Sequence, residues 1–422
     1  MKEQLERIYR QNAGALTAAL TRLFGPTRLD AVESVLHDTF VAALESWGFT
    51  GVPDNPPAWL MTVARHRAFD VLKGERRRGA KDPAPDPENL PADAGPAQAG
   101  SSPGGREPAL RGEVADDELR MMFVACHPRL TLESQLALTL RTLCGFEVLE
   151  IARALLSDEA AVEKRLVRAR QSLREAAVTF VLPDRAEMGE RLGAVARVLY
   201  LLFSEGYSAH RGDHPIREEL CREALRLSAL LLGEPAFRTT EMHALRALML
   251  LQASRLSARV DDDGNLRALA EQDRQRWDRA LIDEGLRHLG ASAEGERVTE
   301  YHLEAGIAAC HALAPRFQET DWARIVGYYD QLLALNGSPV IRLNRAIAVA
   351  YAQGPEQGLR ALRPLEREPR LERYGLLAAA RADLLARLGD TRRAREAYLG
   401  ALDLVDTESE RRLLLRRLSE LV

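Results

Sequence analysis

The sequence predicts an all-α protein, two small helical domains followed by a long helical extension, and three observations carry that expectation. The 422-residue chain is dominated by Ala, Leu and Arg with only 5% aromatic residues, a composition that favours helices over sheets. Apolar residues recur at three- and four-residue intervals along most of its length. One stretch, residues 79–112, breaks the pattern: 13 of its 34 residues are Gly or Pro, and its only large apolar side chains are Leu90 and Leu110. A segment with so little apolar surface cannot offset its ordering entropy, so it reads as a flexible Pro/Gly/Ala-rich linker between folded parts.

Residues 1–78 before the linker show three helical stretches, Leu5–Phe24, Leu29–Trp47 and Ala58–Arg78, the last two separated by the turn-rich GFTGVPDNPP. In the third, Trp59, Leu60, Val63, Ala64, Ala68, Val71 and Leu72 form one apolar stripe. Arg65, His66, Arg67, Asp70, Lys73 and the run Arg76, Arg77, Arg78 then form a strongly basic partner face. Trp59 is expected to pack the preceding loop rather than to touch a ligand.

Residues 113–178 follow the linker. Phe146, Ile151, Ala152 and Leu155 mark one helix, a break falls at 156–158, and Val162, Leu166, Ala169 and Leu173 give the buried stripe of a second, which is helix-turn-helix spacing. Ser157 or Asp158 is placed to cap the second helix. Lys164, Arg165, Arg168 and Arg170 fall off its stripe, as a helix lying in a DNA major groove requires.

From 179 to 422 the chain reads as consecutive amphipathic helices broken near Gly/Pro/Asp clusters. In residues 376–405, Gly389, Ala394, Tyr398 and Ala401 stand at the small and aromatic positions of a tetratricopeptide repeat, and a weaker copy precedes it at 343–366. A short α-solenoid is predicted.

Net charge is only −4, so a nucleic-acid partner must be argued from local clusters. Residues 65–78 hold six basic side chains against two acidic, and residues 164–174 hold five against none. No P-loop, nucleophile elbow or dinucleotide fingerprint occurs, so no enzyme and no cofactor is expected. Cys126, Cys144, Cys221 and Cys310 are too scattered for a disulfide framework or zinc site. The pairs Cys126-His127 and Cys310-His311 and the turn Asp261-Asp262-Asp263-Gly264 lack metal-ligand spacing, and the cluster His210, Asp213 and His214, whose residue types suit a metal, reads rather as a plain polar turn, so no metal is expected. The start MKEQLERIYRQN has no apolar h-region and no apolar run is long enough to span a bilayer, which predicts a cytoplasmic protein without a membrane partner.

The segments VESVLHDTFVAALESW (32–47) and NPPAWLMTVARHRAFDVLKGERRR (55–78) resemble region 2 of the extracytoplasmic-function group of sigma-70 family sigma factors. The resemblance implies that Glu33, His37, Asp38 and Phe40 bind core RNA polymerase, and that the basic face from Arg65 to Arg78 holds the melted minus-ten element. His37 and His66 stand where the family usually has Gln and Asn. The run Glu150-Ile151-Ala152, then Val162, Arg165, Leu166, Arg168, Ala169 and Arg170, is similar to region 4, the minus-35 reader, with Asp158 where the family often has Pro. YLLFSEGYSA (200–209), residues 259–282 and LNRAIAVA (343–350) look like the tetratricopeptide-type extension of one subgroup. Expected partners are therefore the clamp and flap surfaces of core polymerase, promoter DNA as duplex and as melted nontemplate strand, and a protein or small ligand of the extension. The competing reading is a helix-turn-helix regulator with a repeat sensor domain, acting without core polymerase.

Overall fold

A computed structural model describes residues 2–79, 107–155, 157–184, 186–207, 216–261, 263–372, 374–405 and 407–421. Among them are eighteen α-helices and no β-strand, apart from an isolated bridge between Val260 and Leu266. The chain divides into two compact units, 1–198 and 199–422. No helix among the described residues is long and apolar enough to cross a membrane. Most of the predicted linker lies outside the described residues, but its last residues, from Glu107, are already helical.

The first unit begins with α1 (Lys2–Phe24), α2 (Leu29–Thr50) and α3 (Pro56–Gly79). Leu16, Leu20, Val32, Val35, Trp47, Leu60, Ala64 and Ala68 make their shared core, with Trp59 edge-on to Trp47 at 5.2 Å. Gly25 and Gly51, both at φ 81°, let the chain leave α1 and α2, because that backbone conformation strains any residue with a Cβ. Asn55 Oδ1 then accepts the Ala58 N–H at 3.2 Å and starts α3.

The same unit continues with α4 (Glu107–Ala125), α5 (Leu132–Thr142), α6 (Val148–Ala154) and α7 (Glu159–Glu175). Thr131 caps α5 and Asp158 caps α7, its Oδ1 accepting from Ala161 N at 2.7 Å, so the polar turn residue read as a cap is one. Val162, Leu166, Ala169 and Leu173 are buried as the stripe predicts. The two parts expected on either side of the linker touch: α1 packs along α4 and against the end of α5. Two glycines permit this. A Cβ on Gly14 would collide with the Leu143 carbonyl, and one on Gly145, at φ 66°, would stand 2.7 Å from the Ala13 Cβ.

α8 (Met188–Tyr207) contains the boundary between the units, and in its first part Arg191 donates to the Phe123 carbonyl at 2.7 Å. The second unit adds α9 (Glu218–Gly233), α10 (Thr240–Ala253), α11 (Arg279–Ser292), α12 (Glu300–Leu313), α13 (Trp322–Leu335), α14 (Pro339–Gln353), α15 (Pro355–Leu362), α16 (Gly375–Arg387), α17 (Thr391–Leu402) and α18 (Glu408–Ser419). Most successive helices pack on one another, α10 on α11 and α12, α13 on α14, and α16 on α17. Breaks fall at Gly233–Pro235, Gly337–Pro339, Gly354–Pro355 and Gly389–Asp390 as the composition predicts; the expected break at 212–215 is outside the described residues.

A polar pin holds α9, α10 and α11 together. Arg246 donates to the Leu225 carbonyl and Ser228 Oγ, both at 2.8 Å, to His288 Nε2 at 3.1 Å and to Glu284 at 2.6 Å. Burial, and then the charge of Arg246, push His288 down to about 4, so it is the neutral acceptor this geometry needs.

Candidate nucleic-acid and polymerase interface

The basic face of α3 comes out as predicted by its stripe. Ala64 and Ala68 are fully buried, Arg65 and Arg67 half-buried, and His66, Asp70, Lys73 and Arg77 exposed. Arg76 and Arg78 lie in the last turns of α3, with side chains outside the described residues. Among the described residues none of Arg65, Arg67, Lys73 and Arg77 is in an ion pair, while the neighbouring Glu75 binds Arg28 at 2.6 Å. Two aromatic rings stand in solvent nearby in sequence, Phe49 at 94% exposure in the last turn of α2 and Phe69 on α3, surfaces on which an unstacked base can rest.

The basic face of α7 is divided. Lys164 and Arg168 are exposed, and Arg165 reaches back to Ser157 Oγ at 3.0 Å. Arg165 and Arg168 line a groove of about 510 Å³ with Arg129, Thr131 and Glu133. Arg129 escaped the sequence reading because it stands alone, directly after the His127-Pro128 step and outside both basic clusters. The remaining signal was Thr131 as a cap, which marks a helix start behind it.

Arg170, predicted to face DNA, is held elsewhere. Its guanidinium lies 3.2 Å from Asp30 and 2.5 Å from Glu33, with the side chain only 14% exposed, and Arg174 binds Asp30 at 2.9 Å. Glu33 also accepts from Arg141 Nε at 3.4 Å, while Arg141 Nη1 holds Glu147 at 3.0 Å. Burial disfavours the Arg141 charge, but Glu33 and Glu147 outweigh it and raise its pKa. Arg10 pairs with Glu150 across the same seam.

Of the residues expected to meet polymerase, His37 and Asp38 are exposed and Glu33 is the one occupied by arginines. Phe40 is 7% exposed, in the α1–α3 core and edge-on to Tyr9 at 4.6 Å, which makes it a support for that surface. Burial pushes the Tyr9 phenol up to about 12, so it stays neutral. Tyr9, Glu33, His37, Phe40 and Arg141 line a small cavity of about 130 Å³.

No group of three or more His, Cys, Asp or Glu among the described residues is arranged to hold a metal. The cysteines are free thiols, and burial raises Cys126 to about 12, well away from the reactive thiolate.

Comparison with known proteins matches these helices. The family described as sigma-70 region 2 matches residues 8–78, which span α1–α3, and sigma-70 region 4 matches residues 120–173, from α4 into α7. A family of unknown function, DUF6596, matches residues 191–293. An uncharacterized protein of Rhizobium meliloti (strain 1021) is 40% identical over 399 residues, covering 93% of this chain and 90% of that protein. No solved structure matches. With both regions present in sigma order on the two basic helix sets, the chain belongs to the sigma-70 family and is a sigma factor of transcription initiation.

Proposed function

We propose that the chain is a sigma factor of the extracytoplasmic-function type that brings core RNA polymerase to specific promoters, with residues 1–78 as region 2, 79–112 as tether, 113–178 as region 4 and 179–422 as a tetratricopeptide-like regulatory extension. The observation that carries this reading is the pair of basic faces on separate helices of the matched regions, one on α3 without ion pairs among its described side chains and one opening into the groove of α7. A promoter must be read in two places, as duplex at minus-35 and as melted strand at minus-ten. Arg165 and Arg168, with Lys164 and Arg129, suit the duplex, where an Arg fork discriminates a guanine edge by about 1–3 kcal/mol. Arg65, Arg67, Lys73 and Arg77 suit the phosphates of the single strand, with Phe49 and Phe69 available for stacking. His37, Asp38 and Glu33 on α2 are the surface for the polymerase clamp, supported from beneath by Phe40.

Run-off transcription with bacterial core polymerase on a promoter from the protein's own gene neighbourhood tests this, comparing the natural chain with an Arg165→Ala, Arg168→Ala variant. Specific transcripts that weaken in the variant support the reading. Absence of transcript together with absence of binding to core enzyme transfers the protein to the helix-turn-helix regulators that act alone.

A further inference from the structure

In the second unit two neighbouring arginines, Arg255 and Arg274, have no carboxylate partner among the described residues. Two turns are clamped together: Asp278 N–H donates to the Ser254 carbonyl at 2.7 Å and Ser257 Oγ to the Arg276 carbonyl at 2.8 Å. Arg255 rises from the first turn and Arg274 from the second. Arg274 Nη1 donates to the carbonyls of His311 and of Ala314, the latter at 2.7 Å, which fixes the end of α12 against both turns. Its guanidinium lies 4.6 Å from the Trp277 ring, and that of Arg255 lies 5.4 Å from the ring of Tyr207. Arg259 lies 3.7 Å from the same Tyr207 ring and donates to the Tyr207 carbonyl, which fixes Tyr207 beside the two turns.

The carboxylates nearby are committed elsewhere. Asp273 Oδ1 accepts from Gln275 N at 2.9 Å, and Asp278 Oδ1 caps α11 through Ala280 N and Leu281 N. Glu271 holds Arg416 at 2.9 Å and Arg417 at 2.6 Å. Burial raises Glu304 to about 7, so it is a weak counter-charge at neutral pH. Neither Arg255 nor Arg274 is in an ion pair among the described residues. Arg274 Nη2, Trp277 Nε1, His311 Nδ1 and Tyr207 Oη are each buried here without a hydrogen-bond partner. Burial, then Arg255 and Arg274, drive His311 down to about 3. The neutral ring still has one N–H to donate.

Arg246 in the same unit shows what a self-sufficient guanidinium looks like, with Glu284, Ser228, His288 and a carbonyl all in place. Two adjacent part-buried guanidiniums, one with its Nη2 sealed from water and neither with a counter-ion among the described residues, are costly, and removing that cost needs an anion with acceptors for several donors. We propose that Arg255, Arg274 and His311 form a binding site for an oxyanion, the phosphate or carboxylate group of a small ligand, with Tyr207 as an additional donor and Trp277 as one wall. The inference stands apart from the transcription reading, since it uses only the extension.

Equilibrium dialysis of the full-length chain against radiolabelled inorganic phosphate, at fixed ionic strength and with sulfate as competitor, tests it. Saturable binding of one phosphate per chain is expected, weakened about tenfold or more by loss of one charge-assisted contact. Because Arg274 also holds two carbonyls, Arg274→Ala can disturb the end of α12; Arg255→Ala, whose side chain otherwise hydrogen-bonds only Gln252 among the described residues, is the deciding variant, with unchanged circular dichroism as its control. Arg392→Ala, on an exposed arginine paired with Glu396, should bind as the natural chain does. Displacement by acetate identifies a carboxylate ligand and displacement by sulfate alone a phosphate ligand; both uphold the site. Absence of saturable binding, or equal binding by Arg255→Ala, overturns it.

Discussion

α3 and α7 carry the two basic clusters of the chain, and the fold treats them in opposite ways. On α3 the described cations, Lys73 and Arg77 exposed and Arg65 and Arg67 half-buried, have no carboxylate within ion-pair distance, because the helix gives α1 and α2 chiefly its apolar side. On α7 the cluster is split along the helix: Arg165 and Arg168 open into a groove, while Arg170 and Arg174, one to two turns further on, are bound to Asp30 and Glu33 of α2. A run of arginines is therefore not in itself a free cationic surface. What docks against the helix decides which charges remain available, and here the docking element is the same α2 that is expected to meet polymerase.

The largest effect should come from the open half of α7. Arg165→Ala with Arg168→Ala should weaken binding to a minus-35 duplex about a hundredfold, at roughly 1–3 kcal/mol for each good contact, by fluorescence anisotropy at fixed salt. If Arg170→Ala alone did as much damage, the bound half of the helix would be the reading half and the division drawn above would fail.

Release of the bound half should come next. Asp30→Asn with Glu33→Gln removes both carboxylates from Arg170 and Arg174, and duplex binding by the isolated chain should rise severalfold, since hydrogen bonds to charged groups are worth about 1.5–3 kcal/mol before screening. Run-off transcription by the same variant should fall if Glu33 also serves the clamp, so the two assays should move in opposite directions.

A third way to open the seam leaves all charges in place. Gly14→Ala puts a Cβ into the Leu143 carbonyl while improving the helix propensity of α1 by about 1 kcal/mol. The radius of gyration by small-angle scattering should increase while far-ultraviolet circular dichroism stays the same. An unchanged radius would mean that α1 and α5 accommodate the methyl, and that this close approach does not hold the seam.

The smallest effect on stability should be on α3. Arg67→Ala should change the melting free energy by no more than about 0.5 kcal/mol, because no partner is lost, yet it should reduce affinity for single-stranded minus-ten DNA and the salt dependence of that binding.

Much of this was readable before any fold. The three-residue and four-residue spacing placed Val162, Leu166, Ala169 and Leu173 on the buried side of α7 and Ala64 and Ala68 on that of α3, and side-chain chemistry marked Asp158 as a cap. Lys73, Arg77, Lys164 and Arg168 could be called exposed by the same logic. Phe40, placed by the resemblance among the polymerase-binding residues, sits at a helix position that suits a core and an interface equally; it is buried and packs edge-on against Tyr9.

By itself, then, the sequence determined the helices, their buried faces and the helix-turn-helix, because each depends on residues within a turn or two of one another and on the 3.6-residue period. Only the tertiary structure decided which charges are spent. Arg170 meets Glu33 across 137 positions, Arg416 meets Glu271 across 145, and Arg255, Arg274 and His311 come from three segments. Coulomb attraction reaches only a few ångströms through water and salt, so such pairs exist only once helix docking has brought distant parts of the chain together.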